Sequence, residues 1–429
     1  MCQKAYSLQL FSEYEMKEIL ILQSSTNKFW GNQFIQAIML SGVFLQIGIW
    51  VRNFAILLFV MDKTGNDPFA VSLISVAEFA PIFLFSFIGG TFADRWRPKN
   101  TMIWCDVLSA FSVFIVLLTI VYGTWEAVFF VTFISAILSQ FSQPSAMKLF
   151  KIHVPGNQLQ MGMAMFQTLM AVFMIIGPVL GTLVYQRFGI YFAIGVMGVA
   201  FLMSAGALTF LPPDQREEKE KPGADFWGEL AEGFRYVWRN KVLTVLGGTF
   251  VVCGFAVGII QPLGIFIVIE RLGLQKESLQ WLMAVNGVAM LLGGGLTMGL
   301  AKKIVPQKLL AIGLLVSAIS VAGVGLSTSI AVTFSLQFLS GLFFPCIHIG
   351  INTLILQTTR EEFVGRVNGV LNPMFMGAMV TTMSLAGWLK LQFSLVTMYE
   401  VSGALFFTGM LLMVPVFKLR VRGPAESRH

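Results

Sequence analysis

Charge is scarce in this chain, and histidine and cysteine are scarcer still. Charged residues make up 12% of the sequence and hydrophobic residues 56%. A soluble domain carries about 25% charged residues, so a water-exposed globule is excluded. The three histidines, His153, His348 and His429, form no HExxH helix, and no G-x-S-x-G elbow exists. A membrane-embedded enzyme built on clustered His, Asp or Ser therefore lacks its residues, and the expected protein is not an enzyme. No P-loop of the form G-x-x-x-x-G-K-S/T is present, so the chain carries no sign of an ATPase. Of four cysteines, Cys2 sits at the terminus and Cys105, Cys253 and Cys346 lie in apolar runs, without CxxC or metal spacing. Neither a disulfide framework nor a metal site is expected, and no cofactor is implied. Basic residues are nowhere interleaved with aromatics outside the apolar runs, which speaks against nucleic acid. Residues 1–30 lack an apolar core followed by a cleavage site; they read as a cytoplasmic tail, with Met16 an alternative start.

What the chain does have is long apolar runs. A spanning helix needs about 20 apolar residues. Candidate spans fall near 35–61, 69–92, 101–122, 126–147, 160–186, 190–211, 242–268, 278–301, 309–328, 331–357, 367–388 and 395–417. They are too long and too evenly apolar for outer-membrane strands, which alternate over about ten residues. Only helices then satisfy the backbone within lipid, so the fold class is an all-α membrane protein with twelve transmembrane helices. Placing both termini in the cytoplasm puts Arg95, Arg97, Lys99, Lys148, Lys151, Lys302, Lys303, Arg360, Arg366 and the linker and tail cations inside. Only Lys63, Arg187, Arg271, Lys276 and Lys390 fall outside, with Arg52 left within a span. This asymmetry selects the orientation, and the net charge of +7 then reports topology and contact with anionic headgroups.

The most polar stretch divides the chain. Residues 31–211 form one six-span half and 242–417 the other; 212–241 is a cytoplasmic linker and 418–429 a cytoplasmic tail. Within the linker, Phe226, Leu230, Phe234, Val237 and Trp238 fall on one helical face, flanked by Arg235, Arg239 and Lys241. This predicts an amphipathic helix, lying on the cytoplasmic leaflet, packed on the bundle's own cytoplasmic face, or both. The halves echo weakly. Gly89-Gly90 followed by Arg95-Trp96-Arg97 recurs as Gly294-Gly295 followed by Lys302-Lys303, and the run beyond Pro144 has a counterpart beyond Pro345. Two pseudo-symmetric six-helix halves about a membrane-normal axis are expected.

Several motifs resemble the major facilitator superfamily. Gly90-Thr91-Phe92-Ala93-Asp94-Arg95-Trp96-Arg97-Pro98-Lys99 is similar to that family's loop between helices two and three, with Arg97 in place of the later glycine. Ile176-Gly177-Pro178-Val179-Leu180-Gly181-Thr182 resembles the Gly-Pro motif associated with antiport and export. Residues 229–240, together with Gly365-Arg366-Val367, look like the macrolide-efflux and enterobactin-exporter branch. The likeness runs from about residue 30 to 417. Two departures stand out: span four carries Gln140, Gln143 and Pro144 where the superfamily places an arginine motif, and Ile49 occupies the place of a branch aspartate. The resemblance implies a secondary transporter in the plasma (inner) membrane of a bacterium, working by alternating access as a proton-coupled exporter of hydrophobic or amphipathic drugs. It also admits a dedicated siderophore, metabolite or lysophospholipid carrier. A monomer suffices for alternating access. A transport-dead sensor on the same scaffold is the remaining alternative.

Ionisable groups inside spans are the best local clue, since a charge in hydrocarbon costs about 2.5–3.5 kcal/mol or more. Glu78, in span two, is the candidate proton-coupling or substrate residue, with a structural pair to Arg52 as the competing role. Asp94 is expected to gate by holding the closed cytoplasmic side, since a carboxylate favours a helix N-terminus by about 0.3–1 kcal/mol. Gly90, Arg95, Lys99 and Asp106 join that cytoplasmic set. Gly177, Pro178 and Gly181 are expected to bend span five and let another helix approach. Gln46, Gln261, Asn286, Asn352 and Asn372 are polar groups within spans that could line the cavity, and His348 is a further candidate whose competing role is a hydrogen-bonded core residue. The 40 Phe and 23 Met suit an adaptable apolar cavity, although lipid-facing and core packing explains most of them.

Overall fold

In the computed structural model the described residues are 33–123, 125–154, 156–211 and 226–418; for 86–95, 151, 156–160, 226, 227, 229 and 418 only the backbone is described. The N-terminal tail, linker residues 212–225 and the last eleven residues lie outside them. Helices α1 (Gln33–Thr64), α2 (Pro68–Arg95), α3 (Pro98–Val121), α4 (Ala127–His153) and α5 (Gly156–Thr209) come first. The amphipathic α6 (Phe226–Arg239) follows, then α7 (Lys241–Phe266), α8 (Leu279–Ala301), α9 (Pro306–Leu326), α10 (Ile330–Thr358), α11 (Val364–Gln392) and α12 (Leu395–Met413). All but α6 are long and apolar enough to cross a membrane, eleven helices in all.

The sequence expects a break between two spans where the chain runs helically from 156 to 209. The break is a single residue: Gly189 takes φ 76°, ψ −177°. That conformation is essentially closed to side-chain-bearing residues. At ~1.5 Å per residue the whole run would be ~80 Å long against a ~30 Å hydrocarbon core, so its two limbs have the length of two crossings.

Five helix starts follow local chemistry. Asp67 accepts from the amides of Phe69 (3.1 Å) and Ala70 (3.3 Å) ahead of Pro68, capping α2. Asn240 accepts from Val242 and Leu243, and Ser394 from Thr397. Pro98 and Pro306 open α3 and α9. At the α2–α3 corner the structure is tighter than expected. Asp94 and Arg95 belong to the last turn of α2 rather than to a loop, leaving Trp96-Arg97 to make the turn. Pro98 explains this, since its fixed φ starts α3 at once. Trp96 stacks on Phe141 of α4 at 5.9 Å.

Helices α1–α5 pack chiefly on one another, as do α7–α12; the main contacts between these groups are α2 with α11, α5 with α8, and α2 with α7. At one end the groups share a core. Phe54, Leu58, Met61 and Val71 join the buried cluster built on α7, α9 and α11. Gly387 of α11 sits against Phe69, where a Cβ would lie 2.6 Å from the Phe69 Cα.

Candidate functional site

A buried polar cluster ties α1, α2 and α4 together inside the apolar bundle. Arg52 is 4% exposed. Its Nη1 donates to Ser135 Oγ at 2.6 Å, and its Nε donates to Asn53 Oδ1 at 3.0 Å. The Asn53 amide then donates to Glu78 Oε1 at 2.7 Å. Arg52 Nη2 stands 4.0 Å from the same carboxylate oxygen. Thus Asn53 relays between cation and carboxylate, which face each other at the outer limit of an ion pair. The two charges differ in exposure: 5% for the Arg52 side chain and 25% for Glu78. The arrangement fixes the guanidinium and leaves part of the carboxylate accessible. It is also the structural pair that the sequence raised as the competing role; the geometry accommodates both.

A second buried string lies apart from the first. Ser204 on the second limb of α5 donates to Asp106 Oδ2 at 2.6 Å and is 2.8 Å from Ser41 of α1. Asp106 is 3% exposed and so joins α3 to α5 and α1. The side chains of Asp94 and Arg95, expected to gate together with Gly90, lie outside the described residues. Lys99 donates to the carbonyls of Thr209 (3.0 Å) and Leu211, capping the end of α5.

The Gly-Pro segment has a clear steric function. A Cβ at Gly177 would run into the Trp50 ring, and one at Gly181 would lie 2.6 Å from the Trp50 carbonyl and 2.7 Å from Phe54 Cβ. Both glycines therefore admit α1, two residues to either side of Arg52, against α5. Pro178 lies within the same helix.

The remaining candidates are dispersed. Gln46 is buried and donates to the Met170 sulfur. Asn286 of α8 donates to the Gln337 carbonyl of α10 at 3.1 Å, serving that helix contact. Gln261, Asn352 and Asn372 are exposed. His348 is exposed and packs its ring at 4.9 Å from Phe344. None of these joins the Arg52–Glu78 cluster through a described hydrogen bond.

Sequence reading missed a cluster at the shared-core end. Asp62, on the last turns of α1, accepts from Tyr185 Oη of α5 at 2.6 Å and pairs with Lys276 ahead of α8. Nearby, Lys390 Nζ meets Glu270 at 2.6 Å and lies 4.4 Å from the Phe266 ring centroid. Arg271 donates to the Leu326 carbonyl at 2.5 Å. At span ends such charges look like ordinary solvated termini, and nothing local marks Asp62 as a bridge. Asn53 was the one findable omission, being a polar neighbour of Arg52 in an apolar run.

With this geometry in place, the chain compares as follows with known proteins. The family model of the Major Facilitator Superfamily matches residues 38–275 and 246–429. The chain belongs to the major facilitator superfamily and is a membrane transporter. Among its relatives are two uncharacterized MFS-type transporters of Bacillus subtilis (strain 168). YkuC is 26% identical over 80% of this chain and 82% of its own length. YfiS is 24% identical over 92% and 94%. Solved structures share the fold at lower identity. The nucleoside transporter NupG superposes with TM-score 0.73 at 13% identity, covering 90% of this chain and 100% of that one. A bacterial homolog of the human lysosomal transporter Spinster, inward-facing and unoccupied, gives 0.66 at 11%, covering 89% and 95%.

Proposed function

We propose that this protein is a proton-coupled exporter of hydrophobic or amphipathic small molecules, acting by alternating access between two pseudo-symmetric six-helix halves. One observation carries the reading: Glu78 is held by Arg52 and Asn53 on one side and open on the other. A carboxylate so placed changes its proton affinity as the cavity around it opens and closes, because desolvation favours the neutral form and the cation favours the charged one. Protonation weakens its hold on the Asn53–Arg52 relay, and substrate or water entering the cavity reverses that. In the other state the proton leaves to the opposite side.

Charge asymmetry supports cytoplasmic termini in a bacterial inner membrane. The end joined by Asp62, Lys276 and the shared core is then the outer face. Export as the direction rests on the Gly-Pro segment and on the likeness of the linker to the efflux branch. One chain holds both helix groups, which suits a working monomer.

The test is export of a fluorescent cationic dye and of a macrolide from cells expressing wild type or Glu78→Gln, with and without a protonophore. Wild-type export is expected to collapse with the uncoupler and to fall to background in the variant, at equal expression. Export indifferent to both treatments overturns proton coupling through Glu78. Absence of export for every probe by well-expressed wild type overturns broad specificity and leaves a dedicated siderophore, metabolite or lysophospholipid carrier.

A further inference from the structure

Helix α6 is the one described helix of length that does not cross the bundle, and its two edges differ sharply. The inner edge is bolted to the bundle. Val237 is buried, and Gly233 sits against the Arg366 backbone, where a Cβ would lie 2.9 Å from the carbonyl oxygen. The Tyr236 ring stacks on Phe363 at 4.5 Å, and its hydroxyl accepts from the Arg360 amide at 3.2 Å. Glu232 pairs with Arg366 at 2.9 Å, and Arg366 also lies over the Phe363 ring at 5.0 Å. At the helix end, Asn240 donates to the Thr358 carbonyl that closes α10. Every one of these partners belongs to the α10–α11 corner.

The outer edge carries aromatic rings and cations that stay exposed. Phe234 and Trp238 are 50% and 66% exposed and stack on each other at 5.4 Å. Arg235 and Arg239, also four residues apart, are exposed beside them, and Lys241 follows. Among the described residues, the ion pair of α6 is that of Glu232 with Arg366. A stacked aromatic pair flanked by an arginine pair is amphipathic in the sense a membrane interface demands: rings at the acyl boundary, guanidinium groups at the phosphates. Two guanidinium groups favour an anionic headgroup over a zwitterionic one.

We infer that α6 is an anionic-phospholipid clamp, in which Arg235 and Arg239 grip headgroup phosphates while Phe234 and Trp238 insert, so that lipid charge acts on the α10–α11 corner. Sequence alone allowed a helix on the leaflet or one packed on the bundle; the structure divides these between two edges, and the lipid selectivity comes from the free edge. The inference holds whatever the chain transports.

The experiment uses the full-length chain in nanodiscs of phosphatidylcholine, with or without about one-third phosphatidylglycerol, and follows amide hydrogen exchange of residues 230–239. In wild type the anionic lipid is expected to slow exchange there, by up to about thirtyfold if both arginines engage. Arg235→Gln/Arg239→Gln is expected to abolish the difference between the two lipids while keeping wild-type exchange in α7 and α9, which shows that it folds. Phe234→Ala/Trp238→Ala is expected to weaken protection in both lipids. A control that removes two cations elsewhere, Lys302→Gln/Lys303→Gln, retains the difference. The clamp is overturned if wild type shows no lipid difference, if the arginine variant keeps it, or if the control loses it equally. The last outcome means diffuse attraction to basic loops.

Discussion

At the scale of single residues, the molecule shows how a charge is kept inside an apolar bundle. Arg52 is satisfied by Ser135 and Asn53 rather than by Glu78 directly, and Glu78 takes its short bond from Asn53. Removing one partner of a sequestered pair leaves an uncompensated charge, usually at a cost of 3–5 kcal/mol when burial is complete. Because Glu78 is a quarter exposed, a smaller loss of about 1–3 kcal/mol is expected for Arg52→Gln or Glu78→Gln alone. Thermal unfolding in detergent would read it. In the double variant part of the loss should return, giving a coupling energy of about 1 kcal/mol; strict additivity would show that the two charges do not sense each other. The ionisable members were legible in the sequence, since any charge in an apolar run is conspicuous. Ser135 was not, because serines are common in such runs and only a facing partner distinguishes one.

Among elements, glycine decides which helices meet. The α1–α5 crossing depends on Gly177 and Gly181 having no side chain against Trp50 and Phe54. Gly181→Val is expected to destabilise by about 1–3 kcal/mol through overpacking. Gly195→Ala, in the same helix and with nothing within 4 Å of the added Cβ, should be neutral or stabilise by about 0.5–1 kcal/mol. Equal melting temperatures for the two variants would contradict the close-approach explanation. Five helix starts carry local signals, because Asp67, Pro98, Asn240, Pro306 and Ser394 mark them by capping chemistry or a fixed φ. The end of α2 was not: a run of charge suggests a loop, yet a helix end also tolerates charge once it leaves hydrocarbon. In α6, Val237 turns inward while Phe234 and Trp238 stay exposed.

Over the whole molecule, contacts join the two helix groups at one end: Asp62, held by Tyr185, with Lys276, Phe69 with Gly387, and a common apolar core. Asp62→Asn removes the inter-group charge pair, and Gly387→Leu wedges the backbone contact. Both are expected to raise labelling of a cysteine placed at Leu58, which is 1% exposed, by a membrane-impermeant maleimide. With the native cysteines replaced, the increase should be about tenfold for a shift of ~1.4 kcal/mol in the closed-to-open balance. Labelling as low as in the unmutated background would show that this end is not a moving seal.

What the sequence determined by itself is the set of crossings, their helical nature and several of their starts, and for a local reason. In lipid each helix satisfies its backbone hydrogen bonds within its own segment, so a segment's existence needs no distant partner. Which side chains meet is decided elsewhere. Asn53 and Glu78 are 25 residues apart and Asp62 and Lys276 are 214 apart, and no periodicity links such pairs. Only the packing of α1 against α5, made possible at Gly177 and Gly181, and of α2 against α4 and α11, brings the buried relay and the closing bridge into being.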